Sequence, residues 1–205
     1  MNPDEMGLPI DEAVSRLNQS PFYKKQFQLI FNSEPNKKNL AEAFAAFENT
    51  LETTNSKFDD WGNNKIKLSK SEERGRQIFL SDKAKCFDCH LQVDFTNDDF
   101  KNIGLFDGKL LNDSGRYKIT GNKEDIGKFK TPGLRNIAVT APYMHNGMFK
   151  TLEEVVDYYN DVIKVVPDAV NLDPSLKKPL GLTPQEKKDL VAFLKTLTDR
   201  RYAKN

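Results

Sequence analysis

The chain has 205 residues, 38% of them hydrophobic and 30% charged, which is enough for one packed domain with an extension. Lys and Arg total 31 against 30 Asp and Glu, so composition gives no support to a nucleic-acid partner. No apolar run approaches the ~20 residues of a membrane-spanning helix, and two cysteines with two histidines exclude a disulfide scaffold and a four-cysteine metal site.

Taken in chain order, Asp11 to Asn18 predicts a short helix. Ser20-Pro21 offers an N-cap and a proline at the first helical position, leading into Phe22, Phe27, Ile30 and Phe31. Leu40, Phe44, Phe47 and Leu51 recur at helical spacing and predict one apolar face. Thr53 to Lys67 is polar, contains Gly62-Asn63-Asn64, and reads as a loop and a boundary. It separates a helical extension, 1–67, from a main domain, 68–205.

Ser69-Lys70-Ser71-Glu72 is a capping box opening a helix on which Gly75 and Phe79 share a face. Residues 91–151, with Gly104, Gly108, Gly115, Gly121 and Gly127, read as a long loop region of the kind that wraps a ligand or stays irregular. Thr151-Leu152-Glu153-Glu154 caps another helix. On it Val155, Tyr159, Val162 and Ile163 form the apolar face, and Tyr158 is expected beside Glu154 and Asp161 on the other. The last helix opens at Thr183-Pro184-Gln185-Glu186 and carries the stripe Leu190, Val191, Phe193, Leu194 and Leu197. Gly75 would let this helix approach its partner closely.

Both cysteines and one histidine fall in Cys86-Phe87-Asp88-Cys89-His90. This C-x-x-C-H spacing suits covalent haem c: two thiols each add to a vinyl group of one haem, and the adjacent imidazole becomes the proximal iron ligand. A redox C-x-x-C would want a strand before it and a helix after it. A zinc site would need Cys86, Cys89, His90 and His145 together, a spacing unlike the usual ones. A disulfide would leave His90 unexplained.

A longer motif is more specific. Phe129-Lys130-Thr131-Pro132-Gly133-Leu134-Arg135-Asn136, followed by Thr140-Ala141-Pro142-Tyr143-Met144-His145-Asn146-Gly147, resembles the signature of bacterial di-haem cytochrome c peroxidases and their MauG-type relatives. Asn2-Pro3-Asp4-Glu5-Met6, Ala45-Ala46-Phe47-Glu48 and Gly115-Arg116-Tyr117 agree with it. The resemblance implies an all-α fold: a cytochrome c-like haem domain with long loops and an N-terminal helical extension. It places this sequence at the C-terminal, electron-transfer haem domain of the family, without the N-terminal haem domain where peroxide reacts.

The same resemblance implies the roles of individual residues. Cys86 and Cys89 anchor one haem c and His90 ligates its iron. Glu5 matches the distal acid of the peroxide-reacting haem. Arg135 would pair with a propionate, Pro132 would pack on the haem face, and His145 would lie near the haem edge. A calcium ion would take backbone carbonyls at Thr140 and Pro142, weakly in this chain. Counting from His145 as in the family places the sixth iron ligand at Tyr159, with Met144 and Met148 as rivals. A phenolate donor favours ferric iron, whereas a thioether favours ferrous. The implied partners are hydrogen peroxide in the intact enzyme and a small electron donor of cytochrome c or cupredoxin type, with a homodimer left open. Haem c attachment is completed outside the bacterial cytoplasm, so a periplasmic location is expected. Met1-Asn2-Pro3-Asp4-Glu5 lacks a leader pattern, which suggests a mature or trimmed form. A mono-haem electron carrier without catalysis is the alternative.

Overall fold

The computed structural model describes residues 7–91 and 93–203. Two compact units divide between Glu52 and Thr53, earlier than the boundary expected at residue 67. The reason lies in the segment read as a loop. Ser56 and Asp59 form a capping box that starts a short helix there, and Ser56 pairs with Asp199 near the end of the chain. Phe58 then inserts among the rings of Phe95 and Phe193. Residues 53–67 therefore fold with the second unit.

The first unit holds α1 (Ile10–Gln19), α2 (Pro21–Phe31) and α3 (Lys37–Glu48). Pro21 occupies the first turn of α2, where no backbone N–H is needed, and Asn32 ends the helix in the left-handed region. Asn36 and Asn39 cap α3 reciprocally. Ion pairs Lys37–Asp11 and Lys24–Glu34 tie the three together at the surface. The apolar face expected on α3 is only partly used. Leu40 is buried, but Phe44, Phe47 and Leu51 remain 60%, 62% and 50% exposed. Their helical spacing is real; this small unit offers no layer to cover that side.

The second unit begins with α4 (Lys57–Gly62) and α5 (Lys70–Phe79). Next come β1 (Phe100–Lys101), α6 (Tyr117–Thr120) and β2 (Phe129–Lys130). The chain finishes with α7 (Leu152–Asn160), α8 (Val162–Val165) and α9 (Pro184–Lys195). The strands form a two-residue antiparallel ladder, Phe100 opposite Lys130 and Lys101 opposite Phe129.

The main core is built where α5 crosses α9. A Cβ added at Gly75 would lie 1.9 Å from the Asp189 carbonyl oxygen, so only glycine permits this approach. Phe79, Leu190, Val191, Phe193, Leu194 and Leu197 are all buried there, as the sequence pattern predicts. A second, smaller core gathers Leu105, Tyr158, Val162, Val166, Leu172 and Leu176. The segment between α5 and α7 runs past both cores and carries the chemistry.

Candidate functional site

After α5, a 3-10 turn over Cys86–Asp88 presents the two thiols and the imidazole. Lys85 enters it in the left-handed region, and the N–H groups of Cys89 and His90 both donate to the Cys86 carbonyl, at 3.3 and 2.9 Å. Cys86 and Cys89 are free and half-buried. Burial pushes the Cys86 thiol up to about 12 and raises Cys89 as well, the reverse of the depressed thiols that suit a redox C-x-x-C pair. Among the described residues no cluster of His, Cys, Asp and Glu gathers to hold a metal ion, which argues against the zinc arrangement.

His90 is held by backbone. Its Nδ1 lies 2.9 Å from the Phe95 carbonyl oxygen, and the Pro132 carbonyl also hydrogen-bonds the ring. Burial favours the neutral imidazole, with both carbonyls opposing. An imidazole whose Nδ1–H is donated to a carbonyl keeps its Nε2 lone pair for a metal, the usual arrangement of ligating histidines.

The two tyrosines of α7 are both inward-facing, which corrects the expectation that Tyr158 would turn away. Tyr158 is only 1% exposed and its hydroxyl donates to the Ile103 carbonyl at 2.6 Å. The cause is that α7 packs between the two cores and buries more than one face. Tyr159 is half-buried. Burial pushes its phenol upward, and the nearby Cys86 and Cys89 add to the effect. Among the described residues it has no hydrogen-bond partner. The donor set therefore fits a haem c: two thiols at C-x-x-C spacing, an oriented imidazole, and a phenol near the thiols without a hydrogen-bond partner.

The remaining candidates are placed differently. Glu5 lies outside the described residues. The Arg135 side chain is 8% exposed and its fork is taken up by protein partners. Nη1 and Nη2 grip Asp59, Nη1 also donates to the Thr53 carbonyl at 2.7 Å, and Nε donates to Val93 O and Asp94 Oδ1, each at 3.2 Å. Pro132 is exposed and meets His90 through its carbonyl. His145 is exposed and stacks on Phe129, with centroids 3.7 Å apart; partial burial lowers its pKa against the pull of Asp113. Met144 packs beside the second core at φ +67°, whereas Met148 is 38% exposed. Thr140 and Pro142 are both exposed.

Sequence reasoning missed Phe95, Asp59 and Thr131. Phe95 acts through its carbonyl, which no side-chain pattern reveals. Asp59 was legible as the third residue after Ser56 in a capping box. The Thr131 hydroxyl is buried without a partner among the described residues, one residue before Pro132.

The model of the di-haem cytochrome c peroxidase family matches residues 1–67. The methylamine utilization protein MauG of Methylorubrum extorquens is 36% identical over 200 residues, covering 95% of this chain and 54% of that protein. The chain belongs to the di-haem cytochrome c peroxidase/MauG family. Another relative, the cytochrome-c peroxidase IdrP1 of Denitromonas iodatirespirans, is 35% identical over 215 residues, covering 89% of this chain and 56% of that protein. A crystal structure of a MauG-like protein associated with microbial copper homeostasis superposes with TM-score 0.81 and 35% identity, covering 93% of this chain and 62% of that one. The chain thus spans about half the length of the curated relatives it matches. Among the described residues no helix is long and apolar enough to cross a membrane.

Proposed function

We propose that this chain is a haem c electron-transfer unit of a di-haem peroxidase/MauG-type oxidoreductase, with its α5–α9 pair and surrounding loops forming a cytochrome c-like domain. The observation that carries the reading is the placement of His90, with Nδ1 donated to a carbonyl, directly after two free cysteines and near a phenol without a partner. Cys86 and Cys89 would each form one thioether and fix the haem. His90 would supply a nitrogen ligand to its iron and Tyr159 an oxygen ligand. When bound, the haem supplies a one-electron relay between a small donor protein of cytochrome c or cupredoxin type and a peroxide-reducing centre. A hard oxygen donor at Tyr159 would favour the ferric state. On this reading calcium binds weakly. Thr140 and Pro142 offer carbonyl oxygens, and no acidic cluster gathers with them among the described residues. Haem c chemistry places the unit in the periplasm.

A second reading, a mono-haem carrier without catalysis, is favoured by the single C-x-x-C-H in this sequence. The test is to produce the chain in a host that attaches haem c and record its mass, its pyridine haemochrome and its peroxide turnover. One covalent haem per chain is expected. A colourless product at the bare polypeptide mass overturns both readings. One haem with no turnover, alone or with the remaining portion of a family enzyme supplied, supports the carrier.

A further inference from the structure

We propose that Arg135 is the positioning residue for His90, acting through residues 93–95. The guanidinium joins three segments. Its Nη groups are fixed by Asp59, which is itself held by the Ser56 backbone N–H at 2.9 Å and the Ser56 hydroxyl at 2.6 Å. Its Nε holds the Val93 carbonyl and the Asp94 carboxylate. The Asp94 carbonyl accepts the Leu134 N–H at 3.3 Å and leaves no room for a side chain at Gly133, where a Cβ would come within 2.9 Å. Residues 93 and 94 are thus pinned by side chain and backbone together.

The next residue is Phe95, at φ +57°. A bulky residue in the left-handed region is strained and persists only where its surroundings over-determine it. Here the ring is 5% exposed and packs edge-on to Phe58 and Phe79. The unfavourable backbone angle accompanies a carbonyl aimed at His90 Nδ1. The return of the loop is closed by Asn97 N–H donating to the Cys89 carbonyl at 3.0 Å and by Thr96 Oγ1 donating to the Thr131 carbonyl at 2.7 Å. The Arg135 fork is thereby connected, through one strained residue, to the tautomer and orientation of the imidazole. A lysine could keep one partner but not the planar grip on Asp59 together with Val93 and Asp94.

The significance of the inference rests on the haem reading, but its test does not. Only His90 and His145 are histidines, so a 15N-histidine-labelled chain reports on His90 with a single competitor. In Arg135→Gln the His90 Nδ1–H should exchange about fivefold faster, the factor that one ordinary hydrogen bond contributes. Arg135→Lys should behave likewise, and Asp59→Asn should show a smaller effect in the same direction. These two variants carry the test if Arg135→Gln does not fold. In haem-loaded protein the same loosening should raise the reduction potential, because a weaker Nδ1–H bond makes a less basic ligand. An unchanged His90 signal in a folded Arg135 variant overturns the proposal, even if its melting point falls. A chain that never acquires haem would sink the proposed function and leave this measurement valid on the unloaded protein.

Discussion

Tyr158 and Tyr159 are consecutive on α7, and their hydroxyls meet different surroundings. The Tyr158 hydroxyl satisfies the buried Ile103 carbonyl, whereas the Tyr159 phenol lies near Cys86 and Cys89. Tyr158→Phe should therefore destabilise the fold by about 1 kcal/mol, the net value of one hydrogen bond, and leave the absorption spectrum of the haem-loaded chain unchanged. Tyr159→Phe should cost little stability and shift the spectrum, since it removes the oxygen donor. Denaturant midpoints and spectra of the two variants, taken together, check the assignment; a spectral change only in Tyr158→Phe would reverse it. At this scale the sequence was informative where a side chain does the chemistry. Cys86, Cys89 and His90 are proposed from their spacing, and Tyr159 from its distance from His145 in the resembling motif. Tyr158 was misread because periodicity assumes one buried face, and α7 has more. Arg135 was expected to pair with a propionate because its planar fork suits carboxylates; the carboxylate it grips is Asp59, brought there by the three-dimensional path of residues 53–59. Phe95 could not have been read at all, because its contribution is a carbonyl and a backbone angle.

The pairing of α5 with α9 was legible because its determinants are local: two capping boxes, a glycine on one helix and an apolar stripe on the other. What patterning did not show is the polar clasp beside Gly75. Asp189, 1% exposed on α9, receives Arg74 Nε at 2.7 Å, together with the Ser71 hydroxyl and the Gln185 amide. The Arg74 guanidinium, more than the other donors, holds the Asp189 carboxyl down at about 2, against its ordinary 3.8, despite the opposing effect of burial. A depressed carboxylate contributes stability that is complete above its unfolded pKa and is lost as pH falls through the folded value. Asp199, also held at about 2 and fully buried, by Arg201 foremost, adds to the same window. Thermal melts between pH 6 and pH 2 should be flat at the upper end and fall from about pH 4 downward. Asp189→Asn should start less stable and show a shallower fall; a variant with the parental slope would show that this clasp is not linked to acid unfolding.

On the scale of the whole molecule the two units are unequally supported. From Thr53 onward, two apolar cores and the α5–α9 crossing bury large side chains throughout. Up to Glu52, the buried described residues are Phe27, Pro35, Asn39 and Leu40, while Phe22, Leu29, Ile30, Phe44 and Phe47 stand exposed. Burying apolar area is what offsets the entropy of ordering a chain, and three short helices with two buried apolar side chains offset little of it. The helices of the first unit were readable because Pro21, the Asn36 cap and the spacing of aromatic residues are local features. Their shortage of a covering layer was not, since a sequence pattern predicts a face and says nothing of what meets it. Segments with few buried contacts open at lower free energy than those in a core. Limited trypsin digestion of the intact chain should therefore cut first at Lys24, Lys25, Lys37 or Lys38 and leave a persistent fragment beginning at Asn39, the residue after the last of these sites. Mass spectrometry of the early products reads this directly. First cleavage at Lys118, Lys123 or Lys128 instead would mean that the loop region around α6 opens more easily than the helices before it.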